Sequence, residues 1–480
     1  MEVRQWCKGL EPQDVLSWFD KLSQIPHGTG NLEQISDAVL GWLKDLGLRA
    51  VKDEWCNVKG FMDATPGCED RRTLLLTAHL DMVCAKENDS QHDFLRDPIP
   101  VYLADDGDTI TADGTTLGAD DGMGVAYILA LLGDKTVEHG PIEVILTADE
   151  ETDMNGALNL DYSDLKASVV VCLDGDPISV AGAGQLDTRA CIAFETEDAP
   201  EGMTFYKLTV SGLLGGHSGL EAMKERGNAA MILTRALVAL EKDAQARLCS
   251  VTSGNDSSTA FAYHAEAVFA VAAEKEQAMK AVIAAVQAEI ANELLLRDEG
   301  VTLTVEKCAA AKLIKAEGVK KFFDFMMLVP EGVCSRNMSA PTLMESSVNT
   351  GVIRTEEDAF IILSTIRSGV KSRKYVLYER IVRLAALIGA ELTVDCDLPE
   401  WPRRLPAEIE ALCVETFPNC PIIIDEATNE CGVFCDNLPG AGVVSLQCPY
   451  KGAHSTNECV SLKDVGLYYG YFKDFVKRLK

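Results

Sequence analysis

Basic side chains are scarce in this sequence. Lys and Arg total 44 against 74 Asp and Glu, a net charge of −30 over 480 residues. A surface of that sign repels phosphate backbones and anionic lipid headgroups, so neither nucleic acid nor a membrane surface is an expected partner. Long apolar runs are missing as well. No stretch approaches the ~20 apolar residues that span a bilayer, and the opening Met1-Glu2-Val3-Arg4-Gln5-Trp6 lacks the basic-then-apolar order of a secretory signal. A cytoplasmic protein is expected. Gly at 37 and Pro at 17 are too few for a fibrous or disordered chain. The 16 cysteines contain no C-x-x-C, and the closest two are Cys431 and Cys435. Without export, buried reduced thiols are expected, and thioredoxin-like and zinc-ribbon chemistry are excluded.

What the chain does have is ordinary globular composition, 47% hydrophobic and 25% charged. Hydrophobic cores stop growing near ~250–300 residues, so 480 residues imply at least two domains. Apolar side chains recur at helical spacing in residues 11–24 and 32–46, predicting two opening helices. Short continuous apolar runs follow at Leu74–Leu76, Ile142–Leu146, Val169–Leu173 and Val443–Leu446, with a helical stretch at Val125–Leu132. Runs of that kind predict buried parallel strands in an α/β layer. Residues 187–397 read differently. Alternating strands such as Tyr206–Val210 and Phe360–Ser364 surround long helices near Asn228–Asp243 and Glu274–Leu296, as in an α+β unit large enough for two small modules. The predicted architecture is a mostly parallel α/β catalytic domain with helices on both faces. Residues 1–186 and 398–480 build it, and an α+β lid domain, 187–397, interrupts it.

The polar residues beyond the predicted parallel strands carry the chemical signal, because sites in open α/β sheets lie beyond the carboxyl ends of strands. His79 and Asp81 follow the first, Asp149, Glu150 and Glu151 the second and Asp174 the third, while His454 comes soon after 443–447. With only seven histidines in the chain, two at such ends are informative. Period-two alternation puts His79 and Asp81 on one side, where one can bind a metal and the other orient it, although alone the pair also fits a satisfied core histidine. Neighbouring carboxylates at a buried strand end repel and need a proton or a cation. With a metal present, one of Glu150 and Glu151 can bind it while the other faces a water as general base; the bland alternative is a solvated acidic turn. Glycines on both sides of Asp120, in Gly118-Ala119-Asp120-Asp121-Gly122, allow a tight turn that pushes one carboxylate inward, where its two oxygens could bridge two cations. A phosphate loop is excluded, since no Gly-Lys-Ser/Thr is present and the paired aspartates would repel phosphate.

Together, His79-x-Asp81, Gly118–Gly122, Thr147-Ala148-Asp149-Glu150-Glu151, Asp174 and Gly452-Ala453-His454-Ser455 resemble the signature of the co-catalytic di-zinc metallopeptidases that include aminoacylases and carnosinases. Asp81-Met82-Val83, His92-Asp93-Phe94, Asp97-Pro98-Ile99 and Gly114–Asp120 resemble the aminoacyl-histidine dipeptidase branch in particular. The resemblance implies two Zn2+ per chain, replaceable by Mn2+ or Co2+, with His79, Asp120 and Asp174 holding one and Asp120, Glu151 and His454 the other. It makes Glu150 the general base and Asp81 the residue that orients His79. It also implies a small dipeptide as substrate, cut at an Xaa-His or β-alanyl-histidine bond, and is compatible with a homodimer. In Gly215-Gly216-His217-Ser218-Gly219 it implies that His217 contacts the substrate carbonyl, whereas the local alternative is a cap on a helix beginning near Leu220. Asn349 and Arg367 resemble substrate-holding residues, Arg367 through its fit to a carboxylate.

Two segments depart from that pattern: Glu426-Ala427-Thr428-Asn429 replaces the usual His-Ala-Gly-Leu, and Gly175-Asp176-Pro177 replaces an acidic run. Both bear on substrate preference. No Gly-x-Ser-x-Gly fits a strand-to-helix elbow and no His-Glu-x-x-His is present, which excludes serine-hydrolase and one-metal protease chemistry. The competing readings are a related deacylase of N-acyl amino acids and a non-catalytic metal-binding relative. An intact Glu150 beside a full ligand set argues against the latter.

Overall fold

The structure, a computed structural model, describes residues 2–175, 178–254, 257–338, 340, 342–446 and 450–480. Asp176 and Pro177, singled out above, and the last residue of 443–447 lie outside the described residues. The chain divides into two compact units, the first formed by residues 1–182, 401–425 and 429–480 and the second by 183–400 and 426–428. The expected boundary after residue 186 falls inside a strand, Gly184–Ala193, whose hydrogen bonds all lie within the second unit, so the division comes a few residues earlier.

The first unit is an α/β fold on an eight-stranded sheet. At its centre, Ile142–Thr147, Leu74–His79, Val169–Cys172 and Gly442–Ser445 lie side by side and parallel. These are the four apolar runs, and nearly every residue in them is buried. Antiparallel strands Arg49–Lys52 and Val58–Met62 extend one edge, while Ser179–Gly182 and Ile423–Asp425 extend the other. Side chains alternate across the sheet. Leu74, Leu76, Val144 and Val171 pack into a core with the helices Gln13–Leu22, Glu33–Asp45, Ala119–Gly133 and Leu462–Arg478, whereas Leu75, Ile145, Val170 and Val443 pack with Trp401, Cys431 and Phe434. Helical residues thus cover both faces, and each fully buried Val or Leu contributes about 1.5–3 kcal/mol relative to exposure. Every described cysteine is a free thiol.

A second, four-stranded sheet of the same unit joins Val101–Leu103, Thr109–Ala112, Cys459–Ser461 and Tyr450–Lys451. The loop between its last two strands in sequence carries His454, so a residue far away in sequence is fixed by antiparallel pairing to the segment just before Asp120.

The second unit holds a nine-stranded antiparallel sheet made of two halves with one topology. One half runs strand Met203–Ser211, helix Ala229–Ala244, strands Arg247–Ser253 and Ala265–Ala272, helix Glu276–Glu293, strand Thr302–Lys307. The other runs strand Gly184–Ala193, helix Ala316–Leu328, strands Met344–Thr355 and Ala359–Ser368, helix Lys371–Ile388, strand Glu391–Leu398. In both, the fourth element of the βαββαβ run lies between the first and the third, and the last strand borders the first on its other side. The two halves meet where Ser253 pairs with Ile353. The first half is inserted after the opening strand of the second, which hides the repeat from any search at fixed spacing. Aromatic stacking anchors the second half, with the Phe322 and Phe360 rings 4.5 Å apart. Among the described residues no helix is long and apolar enough to cross a membrane.

Candidate metal centre

The candidate centre of the first unit lies at the carboxyl ends of the four parallel strands. His79 is the last residue of its strand and is buried. Ile142–Thr147 runs into a sharp turn at Asp149, which takes a left-handed conformation (φ 57°) and leaves Glu150 and Glu151 with their N–H groups facing Asp81. Gly118 is also left-handed (φ 71°), a backbone region that favours glycine, in the turn that delivers Asp120.

Asp120 is central. Its Oδ1 lies 3.2 Å from His79 Nε2 and its Oδ2 3.3 Å from His454 Nε2, so its two oxygens face two imidazoles on different segments. His454 Nε2 is also 2.9 Å from Glu151 Oε2. Two sets of donor atoms result, His79–Asp120–Asp174 and Asp120–Glu151–His454, each with one atom per residue and all within 4.8 Å of one another. All five residues expected to ligate are therefore brought together, and Asp120 belongs to both sets.

The electrostatics of this cluster explain its chemistry. Burial, and next the charge of Asp120, push the Asp174 carboxyl up to about 7. Glu150 is raised well above the ordinary range by burial and then by Asp174, Glu430 and Glu151, with His79 opposing. Burial also works on Asp120, yet hydrogen bonds from His454 and His79 more than offset it and hold this carboxyl well below the usual range. Hydrogen bonds to Asp120 and Glu151 in turn raise the His454 imidazole to about 10. Acidic groups crowded this closely are kept ionised together only by positive charge among them. A buried Glu151 Oε1 without a hydrogen-bond partner points the same way. Two mixed imidazole–carboxylate donor sets fit divalent ions such as zinc, manganese or cobalt.

Asp81 has more to do than orient His79. The closer partner of His79 Nδ1 is the Asp81 main-chain oxygen at 2.9 Å, with the carboxylate at 3.5 Å. The carboxylate accepts from the N–H groups of Glu150 (3.1 Å) and Glu151 (3.2 Å) and from Thr29 Oγ1 (2.8 Å). It thereby fixes the main chain of both adjacent acidic residues. Three neighbours escaped the sequence reading: Thr29; Tyr450, whose hydroxyl donates to Asp174 Oδ1 at 3.5 Å; and Glu430, which accepts from Thr147 Oγ1 at 2.7 Å and is raised by burial to about 8. Each is a single polar residue with no motif around it. The adjacency of Glu430 to the departing segment 426–429 was the one available hint.

The other three candidates lie in the second unit. His217 Nε2 is 3.2 Å from Arg367 Nη2, and Arg367 Nη1 donates to Thr428 Oγ1 at 3.0 Å. Thr428 belongs to the segment that departs from the dipeptidase pattern, so that departure touches Arg367 directly. The Leu220 N–H donates to His217 Nδ1 at 3.1 Å, so the ring does cap its own turn, and burial followed by the Arg367 charge lowers its pKa to about 4. Asn349 is buried; its Nδ2 donates to the Ser258 and Ala260 carbonyls at 2.7 and 2.9 Å, and its Oδ1 accepts from Asn228. Both its amide hydrogens are thus engaged in holding the sheet.

A mixed α/β unit with an aspartate between two histidines fits a metal-dependent hydrolase, and the family match gives the class: residues 75–478 match the model of peptidase family M20/M25/M40, and the chain belongs to that family of metallopeptidases. It is a peptide-bond hydrolase. It is 34% identical over 481 residues to the cytosol non-specific dipeptidase of Escherichia coli K12, covering 98% of each chain. Its structure is similar to that of aminoacylhistidine dipeptidase from Vibrio alginolyticus, with a TM-score of 0.88 at 30% identity over 99% of this chain and 98% of that one. A tripeptidase from Staphylococcus aureus, 18% identical with a TM-score of 0.59 over 98% and 99% of the two chains, shares the fold.

Proposed function

We propose that this protein is a cytoplasmic di-metal dipeptidase, with Xaa-His dipeptides among its substrates. The observation that carries the reading is Asp120, whose two oxygens face His79 and His454 within two donor sets. The dipeptidase relatives matched over 98% or more of this chain support the substrate class.

His79, Asp120 and Asp174 would hold one ion and Asp120, Glu151 and His454 the other, zinc being the natural choice and manganese or cobalt workable substitutes. Ions bound there supply Lewis acidity toward the scissile carbonyl and lower the pKa of water toward ~7. Glu150 is the general base: it takes a proton from the attacking water and passes it to the leaving amine. Asp81 keeps Glu150 in place through its main-chain N–H.

His217 and Arg367 act on the substrate. The Leu220 N–H points at Nδ1 of the His217 ring and an Arg367 N–H points at Nε2, and a neutral ring accepts from one of the two. The guanidinium and the imidazole together offer N–H groups to an oxygen acceptor, either the carbonyl oxygen as it gains charge or the carboxylate of a dipeptide. Arg367→Ala is expected to cost roughly 2–4 kcal/mol in kcat/KM for free dipeptides and far less for their C-terminal amides. Equal losses for both would assign Arg367 to structural support. Asn349, whose amide hydrogens are engaged, enters this scheme through its position on the same sheet.

The test is a substrate panel of Xaa-His and Xaa-Gly dipeptides, β-alanyl-histidine and N-acetyl amino acids. Dipeptides are expected to be hydrolysed and N-acetyl amino acids left intact; the reverse pattern would make the protein a deacylase.

A further inference from the structure

Glu458 lies four residues beyond His454 and is buried to 2% exposure. Its carboxylate accepts hydrogen bonds from four consecutive main-chain N–H groups. Leu117 and Gly118 donate to Oε2 at 2.7 and 3.0 Å, and Ala119 and Asp120 donate to Oε1 at 2.8 and 3.1 Å. Consecutive N–H groups around a left-handed glycine at the start of a helix form a concavity that favours an anion, and here the chain fills it with its own side chain. Charge-assisted hydrogen bonds of this kind are about twice as strong as neutral ones.

The same residue is fixed at its own main chain. Its N–H donates to the Ser455 carbonyl at 3.1 Å, closing the loop that holds His454, and its carbonyl accepts from Thr111 Oγ1 at 2.8 Å. Cys459–Ser461 then continues as a strand paired with Thr109–Ala112. One side chain thus ties the loop of His454 to the turn of Asp120.

We propose that Glu458 is a positioning residue of the metal centre, setting Asp120 and His454 in register so that their side chains converge on one ion. The proposal rests on the metal-centre reading above. It is specific to a carboxylate, which offers four lone pairs and no donor. Glutamine has nearly the same shape but would turn an NH2 group toward two of the four N–H donors, so the turn carrying Asp120 must shift.

The test compares the full-length wild type with Glu458→Gln, both stripped of metal, by zinc affinity in competition with a chromophoric chelator and by thermal unfolding of the metal-free proteins. The variant is expected to bind zinc about 10- to 100-fold more weakly, the usual effect of losing a residue that orients a ligand, beyond what the fall in metal-free midpoint from its lost buried hydrogen bonds brings by itself. Equal zinc affinity overturns the inference. So does an equal affinity loss in Val444→Ala, a core variant compared at a matched fall in metal-free midpoint, which would make Glu458 a general structural residue. Wild-type protein that takes up no zinc overturns the metal-centre reading and this inference with it. Should the variant not fold, amide hydrogen exchange of the metal-free wild type decides: slow exchange at residues 117–120 is expected, and exchange as fast as in exposed loops overturns the proposal.

Discussion

Replacing Asp120 by alanine is expected to abolish metal uptake and hydrolysis together. Every other candidate ligand belongs to one donor set, and its loss leaves the second set whole. Asp120 belongs to both, one oxygen toward His79 and the other toward His454. Without it each set is reduced to one imidazole and one carboxylate, fewer than the three protein ligands of an ordinary catalytic site. Losing the ions removes several kcal/mol of charge stabilisation, so kcat should fall by at least about 10³-fold. Elemental analysis after dialysis, paired with steady-state rates, checks both halves. A variant that keeps two ions per chain would show that Asp120 is no bridge. The fold is expected to survive, because the Asp120 carboxylate is held by two imidazoles and the Tyr450 hydroxyl while its main-chain N–H remains bound to Glu458.

Glu150→Gln is the contrasting case. The proposed ligand sets leave Glu150 out, and its N–H, not its side chain, is held by Asp81. Glutamine keeps the size and the main-chain anchor while removing the ability to take a proton. Two ions per chain should therefore be retained while kcat falls by roughly 10²- to 10⁴-fold, the scale of a general base. If the variant loses an ion instead, the roles of Glu150 and Glu151 are exchanged. Measuring metal content and kcat on the same preparations of both variants separates ligand from base.

The centre was largely legible in the sequence because its physical demands leave patterns. A strand buried on both faces is mostly apolar, so Leu74–His79 and Ile142–Thr147 stand out as runs even with Glu143, held by the Lys166 and Ala167 N–H groups, inside one of them, and the polar residues at and past their ends are conspicuous by contrast. The left-handed backbone at Gly118 favours a glycine two residues before Asp120. What was not legible has no such pattern. The edge strand Arg49–Lys52 is short and mostly solvent-facing, so no apolar run marks it. Glu430, Tyr450 and Glu458 are single polar residues whose partners lie hundreds of positions away, and nothing near Glu458 announces four N–H donors at 117–120. The two halves of the second unit were hidden by nesting. The short run 426–428 joins that unit through contacts such as the Met344 N–H on Glu426, which no compositional shift signals. His217 and Arg367, which touch, come from different halves of that unit within one chain, so their pairing needs no second copy.

The central claim is that bound divalent ions at the Asp120 cluster carry peptide hydrolysis. The most direct measurement is a zinc titration of metal-free protein, followed by the initial rate of alanyl-histidine hydrolysis. The account predicts no measurable hydrolysis without metal and a rate that rises to a plateau at two equivalents per chain. Full hydrolysis by protein shown to be metal-free would contradict it.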